Sequence, residues 1–147
     1  MQAVYGYSIS APIRDVNYSP MATIIDDKYK VCISKVGTRI RASGITQLGG
    51  YSQAMSDKAL GTLYQTMTDW FPGGASIDSR VQQWIGARPT MVDGLPVIGQ
   101  VGQSNVWLNL GHGNSGWSLA CGSAQCVVEQ IDLKKTALDL APFQIRH

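Results

Sequence analysis

Apolar and small polar residues alternate from Tyr5 to Ala11, and Pro12 closes the run. A period of two over that length predicts a β-strand with one buried face. Ala22–Asp26, Lys30–Lys35 and Arg39–Ser43 follow as short strand candidates. Asp26-Asp27 and Gly37 separate the last three and suit tight turns, so the economical arrangement is an antiparallel meander. Gly44, Gly49 and Gly50 then loosen the chain.

The period changes between Ser56 and Phe71. Leu60, Leu63, Tyr64, Met67 and Phe71 recur at three- and four-residue steps, which places them on one face of a helix. Ser56 is a good N-cap, Asp57 favours the first turn, and Pro72-Gly73-Gly74 stops the helix. Val81–Ile85 reads as a short strand ending in Gly86-Ala87-Arg88-Pro89, and the stretch from Thr90 to Gly102 is rich in turn residues. Val106–Leu110 is a compact apolar strand. It breaks at Gly111-His112-Gly113-Asn114-Ser115-Gly116, and a second helix runs from Trp117 to Ile131. Trp117, Ala120, Cys121, Ala124, Val128 and Ile131 share one side of that helix. Pro142 argues against a long helix in the tail. The pattern predicts an α+β protein, a mostly antiparallel sheet with one packed helix followed by a C-terminal strand–glycine loop–helix.

The 147 residues suffice for one domain with a real core. Charged residues make up only 15% against 44% hydrophobic, so part of the surface is suited to being covered by more protein. A net charge of +2 without any basic block gives no argument for nucleic acid or an anionic membrane as a partner. No apolar run approaches the roughly 20 residues of a spanning helix, and the first residues lack a signal-peptide layout. The cysteines, Cys32, Cys121 and Cys126, are odd in number and lack metal-type spacing. With His112 and His147 the only histidines, they read as reduced thiols in a cytoplasmic protein without a metal site.

The segment with most chemical content is the strand–glycine loop–helix. Glycines at 111, 113 and 116 let the backbone approach a ligand closely, and the loop opens into a helix N-terminus, whose free N–H groups suit an electron-rich atom. The pattern lacks the Gly-Lys-Ser/Thr of a P-loop and does not open a βαβ unit. By spacing alone the loop is either a tight connection or a ligand contact.

Read as a string, Asn109-Leu110-Gly111-His112-Gly113-Asn114-Ser115-Gly116-Trp117-Ser118, with Ala120-Cys121-Gly122-Ser123 after it, resembles the C-terminal flavin motif of the D-amino-acid oxidase and dehydrogenase family. Trp84-Ile85-Gly86-Ala87-Arg88-Pro89-Thr90 resembles that family's Gly-x-Arg-Pro stretch, and Asp93-Gly94-Leu95-Pro96-Val97-Ile98-Gly99 its Asp-Gly-x-Pro stretch. Gly6-Tyr7-Ser8 and the meander from Asp26 to Thr46 resemble its substrate domain. The resemblance covers nearly the whole chain in order, and the bacterial D-amino-acid dehydrogenases are the most similar branch.

The resemblance implies FAD as cofactor and a D-amino acid as substrate, oxidatively deaminated to a 2-oxo acid by hydride transfer to flavin. It implies that Gly113, Asn114, Gly116, Trp117 and Ser118 line the pyrimidine edge of the flavin. There the helix start stabilises negative charge as the ring is reduced. Arg88 matches the arginine that holds the substrate carboxylate, a task suited to a planar guanidinium fork. Gln47 and Tyr7 fall at pocket positions. No side chain is implied as a catalytic base, and His112 reads as a loop-shaping residue.

On the same comparison, residues 1–85 correspond to a substrate-domain-like sheet and helix, and residues 86–147 to the C-terminal part of the flavin-binding domain. The family's N-terminal Rossmann half is expected to be absent, which makes the chain a truncated portion that holds FAD weakly or not at all by itself. A homodimer is expected, because the strand Val106–Leu110 and the apolar helix face lack the partners they pack on in a whole enzyme. The alternative is a non-catalytic, self-associating interaction module derived from the same family. A small nucleotide-binding protein is a third reading, and the lack of Lys or Arg beside the glycine loop counts against it.

Overall fold

The computed structural model describes residues 1–49 and 54–145, and Gly50 and His147 lie outside the described residues. Five strands form one sheet: β1 (Gln2–Pro12), β2 (Ile24–Asp26), β3 (Val31–Val36), β4 (Arg39–Leu48) and β5 (Gln82–Thr90). Their order is β2-β3-β4-β1-β5. β2, β3 and β4 are the antiparallel meander, with Ile24 opposite Ile33 and Cys32 opposite Ser43. β1 lies between β4 and β5 rather than beside β2. Its own composition accounts for that central place, since Gly6 and Ser8 are buried along with Tyr5, Tyr7 and Ile9. A strand covered on both faces belongs inside a sheet.

β5 differs from the sequence expectation. It does not end at Ile85 but continues through Gly86, Arg88 and Pro89 to Thr90. Proline lacks a ladder donor and is tolerated only where one side of the strand goes unpaired. β5 is the last strand of the sheet and has such a side.

Helix α1 (Asp57–Trp70) forms where the period predicts it. The Ser56 hydroxyl accepts from the Ala59 N–H at 3.3 Å, and Gly73 follows the helix in a left-handed conformation. Leu60, Leu63 and Met67 are buried against Tyr7, Ile9, Val31, Ile33 and Ile40 in one apolar cluster. Leu63 and Met67 are fully inaccessible, and truncating either to alanine costs about 2–5 kcal/mol.

The chain divides into two compact units, Tyr5–Ala87 and Met1–Val4 with Arg88–His147. The first holds α1 and its core. In the second, β6 (Val97–Gln100) and β7 (Trp107–Leu110) form an antiparallel pair, with Val97 opposite Leu110. β6 was hidden in the turn-rich stretch, because four residues are too few to show a period. Helix α2 (Gly116–Ile131) packs Cys126 against Ile98 and Leu140, with Val127 and Phe143 at the margin. Its other side is open: Trp117, Val128 and Ile131 are 95%, 56% and 51% exposed. Among the described residues, no helix is long and apolar enough to cross a membrane.

Candidate functional site

β7 delivers the chain into a loop whose shape depends on glycine. Gly111 sits at φ +81°, and a Cβ there would come within 2.6 Å of Met91 Cγ. Gly113 sits at φ +56°, where a Cβ would stand 3.2 Å from the Thr90 hydroxyl. Both positions combine a left-handed backbone with a close neighbour, so the glycines serve the loop's path. His112 forms a bridge with Thr90, and its carbonyl accepts from the Ser115 N–H at 3.1 Å. A single 3-10 turn, Gly113–Ser115, leads straight into α2.

No side chain caps α2: the side chains of His112 and Ser115 make no bond to the N–H groups of the following turn. The start of α2 lies at the positive end of the helix dipole. The loop and the first turns of α2 wall a cavity of about 530 Å³, within the range of small-molecule sites. Gly113, Asn114 and Ser118 lie on its wall, opposite mainly apolar groups such as Leu95, Pro96 and Leu140. Gly116 and Trp117 belong to the same turn without lining the cavity, and the Trp117 indole is open to solvent. The sequence reading missed Thr90, Leu140 and Phe143 as wall residues. Thr90 was detectable as the residue after the Arg88-Pro89 pair, whereas nothing in the tail pattern marked Leu140 or Phe143.

Arg88 is half-buried on β5 and meets no carboxylate among the described residues, whose ion pairs are Lys30–Asp27 and Lys134–Asp132. Arg88 and the glycine loop fall in the same compact unit.

Tyr7 and Gln47 belong to the other unit and are brought together there. The Tyr7 hydroxyl donates to Gln47 Oε1 at 2.5 Å, and both residues line a second cavity of about 690 Å³ with Ile45, Ala59 and Thr62. Ile45 has φ +51°, a left-handed conformation that costs a β-branched residue about 1–3 kcal/mol. At the adjacent Gly44 a Cβ would lie 2.6 Å from the Lys30 carbonyl.

The chain matches the family described as FAD dependent oxidoreductase over residues 1–130, and it belongs to that family. More narrowly, it is 39% identical over 142 residues to the D-amino acid dehydrogenase of Bradyrhizobium diazoefficiens, covering 97% of this chain and 34% of that protein. It is 40% identical to the D-amino acid dehydrogenase of Allorhizobium ampelinum, over 97% of this chain and 33% of the relative. The chain therefore spans about a third of the length of the curated relatives it matches. Solved structures share the fold. Glycine oxidase from Geobacillus kaustophilus superposes with a TM-score of 0.79 at 23% identity, covering 99% of this chain and 39% of that one. Iminodiacetate oxidase from a Chelativorans species gives 0.80 at 16% identity, over 97% of this chain and 39% of its own.

Proposed function

We propose that the chain is the substrate-side and flavin-ring-side portion of an FAD-dependent D-amino acid dehydrogenase. The observation that carries this reading is the uncapped start of α2 opening from the glycine loop at the wall of a cavity. The donor set fits a flavin ring. Backbone N–H groups at a helix start suit an electron-rich heterocycle edge, and a Cβ at position 113 would crowd Thr90 on the cavity wall. Bound FAD would supply the hydride acceptor: the substrate Cα–H bond breaks with its electron pair leaving as hydride, the amine loses a proton, and water converts the imine to a 2-oxo acid and ammonia.

The chain's own residues bind and orient. Arg88 holds the substrate carboxylate through paired charge-assisted hydrogen bonds, which fixes the Cα–H direction. Gly113, Asn114, Gly116, Trp117 and Ser118 present the loop and helix start to the ring. Tyr7 and Gln47 shape the substrate side of their own unit. Residues 1–85 act as the substrate part and residues 86–147 as the flavin part. The ADP moiety is held by a Rossmann half outside these 147 residues, so the chain alone binds FAD weakly. The free thiols of Cys32, Cys121 and Cys126 suit a reducing, cytoplasmic setting.

Calorimetric titration of the chain with FAD tests the division of labour: weak or undetectable binding is expected, and sub-micromolar affinity overturns it. In a holoenzyme assembled with the nucleotide-binding half, Arg88→Ala is expected to raise KM for D-amino acids at least tenfold. An unchanged KM removes Arg88 from the site. The exposed apolar side of α2 favours a second reading, a non-catalytic module that self-associates through this face. A chain that forms dimers yet gives no turnover with the nucleotide-binding half supports that reading instead.

A further inference from the structure

After α2 the chain doubles back. The Lys134 N–H donates to the Glu129 carbonyl at 2.8 Å, the closing bond of a helix C-terminal motif, and Leu133 takes φ +56° to make the turn. That conformation is uncommon outside glycine, and a bulky Leu there is under strain. The order of residues 134–145 is largely local. The Thr136 hydroxyl donates to the Leu138 carbonyl at 2.7 Å, Asp139 accepts from the Ala141 N–H at 3.0 Å, and Ala141–Phe143 closes one 3-10 turn. Leu140 joins the segment to its unit by packing against Ile98 and Cys126, with Phe143 at the margin of that cluster. Gln144 Nε2 adds a hydrogen bond to the Ile98 carbonyl at 3.2 Å. Gly99 makes room for that amide, since a Cβ there would stand 2.7 Å from it. Leu138, Leu140 and Phe143 form one wall of the glycine-loop cavity, and Cys126 lines it too.

We propose that residues 134–145 are a movable strap, hinged at Leu133 and latched by Gln144, that lifts off β6 and α2 while the rest of the unit stays folded. Lifting it opens one side of the cavity and uncovers Cys126. A segment opens separately from its domain when it makes few buried apolar contacts and bonds mostly to itself. Among the described residues of the strap Leu140 alone is buried, and Leu138 is 61% exposed although it lines the cavity. Opening also frees Leu133 from its left-handed conformation, which offsets part of the lost packing. A group seated against Leu140 and Phe143 meets them only when the strap is down, so the strap admits it when open and retains it when closed. The inference stands apart from the flavin reading, because it concerns how this side of the cavity opens, whatever the cavity holds.

Cys126 is the built-in reporter. The full chain is labelled with iodoacetamide, each cysteine is followed by peptide mass mapping, and rates are compared with those of the chain unfolded in urea. Cys32, a free thiol in the other unit, is the internal reference. In the wild-type chain Cys126 is expected to react at least about tenfold more slowly than when unfolded. Its rate is expected to change little at low urea, because a local opening exposes little surface. Gln144→Leu keeps the bulk of the side chain without the donor. It is expected to speed Cys126 labelling about 3- to 10-fold, with the Cys32 rate unchanged. An unprotected Cys126, or one whose rate follows global unfolding at every urea concentration, overturns the strap. A Gln144→Leu rate equal to wild type also overturns it, since the reagent would then reach Cys126 with the segment in place. If Gln144→Leu does not fold, the urea dependence in the wild-type chain decides alone.

Discussion

The Tyr7 hydroxyl donates to Gln47 Oε1 at 2.5 Å, joining the central strand β1 to the far end of β4. The two ends of this bond differ in exposure. Tyr7 is 1% exposed within the core, whereas Gln47 is open to solvent. The two truncations should therefore not be equivalent. Tyr7→Phe frees a carbonyl that water can satisfy and is expected to lose about 0.5–1.5 kcal/mol. Gln47→Leu strands a hydroxyl in the core and is expected to lose about 1–3 kcal/mol. Urea unfolding at pH 7 measures both, and the reverse order shows that the hydroxyl has another acceptor.

Asp26 gives a pH-dependent handle on the same unit. Trp70 Nε1 donates to one carboxylate oxygen at 2.9 Å and the Tyr29 N–H to the other at 2.7 Å. The Trp70 bond, then the Tyr29 one, hold the Asp26 pKa below its ordinary value of 3.8. A carboxyl whose folded pKa is depressed contributes stability above its unfolded pKa, and that contribution fades as pH falls through the folded value. Trp70→Phe is thus expected to lower Tm at pH 7, with the gap to wild type narrowing below about pH 4. Melting curves from pH 2.5 to 7 check this, and a gap that widens in acid contradicts the assignment.

Legibility in the sequence varied for physical reasons. α1 was readable to its ends because Leu60, Leu63 and Met67 repeat with the helix period and Ser56 and Gly73 mark its limits. β5 was truncated in the reading because Pro89 looks like a stop, and only the sheet order reveals that β5 has a free side. The place of β1 was hidden because period two says which face is buried but not which strand lies alongside. The glycine loop was legible as a string, and Arg88 through its Gly-x-Arg-Pro setting. The unpaired Nε2 of His112 had no sequence signal at all, since partner groups are set by tertiary packing.

Two glycines of the C-terminal unit should respond in opposite directions. Gly111 combines φ +81° with a neighbour 2.6 Å from a would-be Cβ. Gly111→Ala is expected to lose about 1–3 kcal/mol. Gly122 lies inside α2 with nothing within 4 Å of such a Cβ, and Gly122→Ala is expected to gain about 0.5–1 kcal/mol from helix propensity. Denaturant unfolding of the two variants beside wild type decides, and equal effects would show that backbone conformation is not what selects glycine at 111.

Assembly follows from what α2 leaves uncovered. Ser123 and Cys126 are its buried residues, and Trp117, Val128 and Ile131 face outward with Leu133 just beyond the helix end at 93% exposure. An apolar face of this length favours burial against more protein. Among the described residues β6 and β7 form a sheet of two strands, so each also has an outer side open to further pairing. Two-fold association is the commonest way for one chain to cover its own exposed patch. The chain alone is therefore expected to form a homodimer at micromolar concentration, and light scattering across a dilution series measures it. Trp117→Lys with Val128→Lys is expected to shift the mass to monomer while the chain stays folded, because both side chains are already outside the core. A monomeric mass for wild type at high micromolar concentration would sink the dimer. Addition of the nucleotide-binding half gives the complementary outcome: if that half covers the same face, it dissolves the dimer into a one-to-one complex, and the two lysines block both associations.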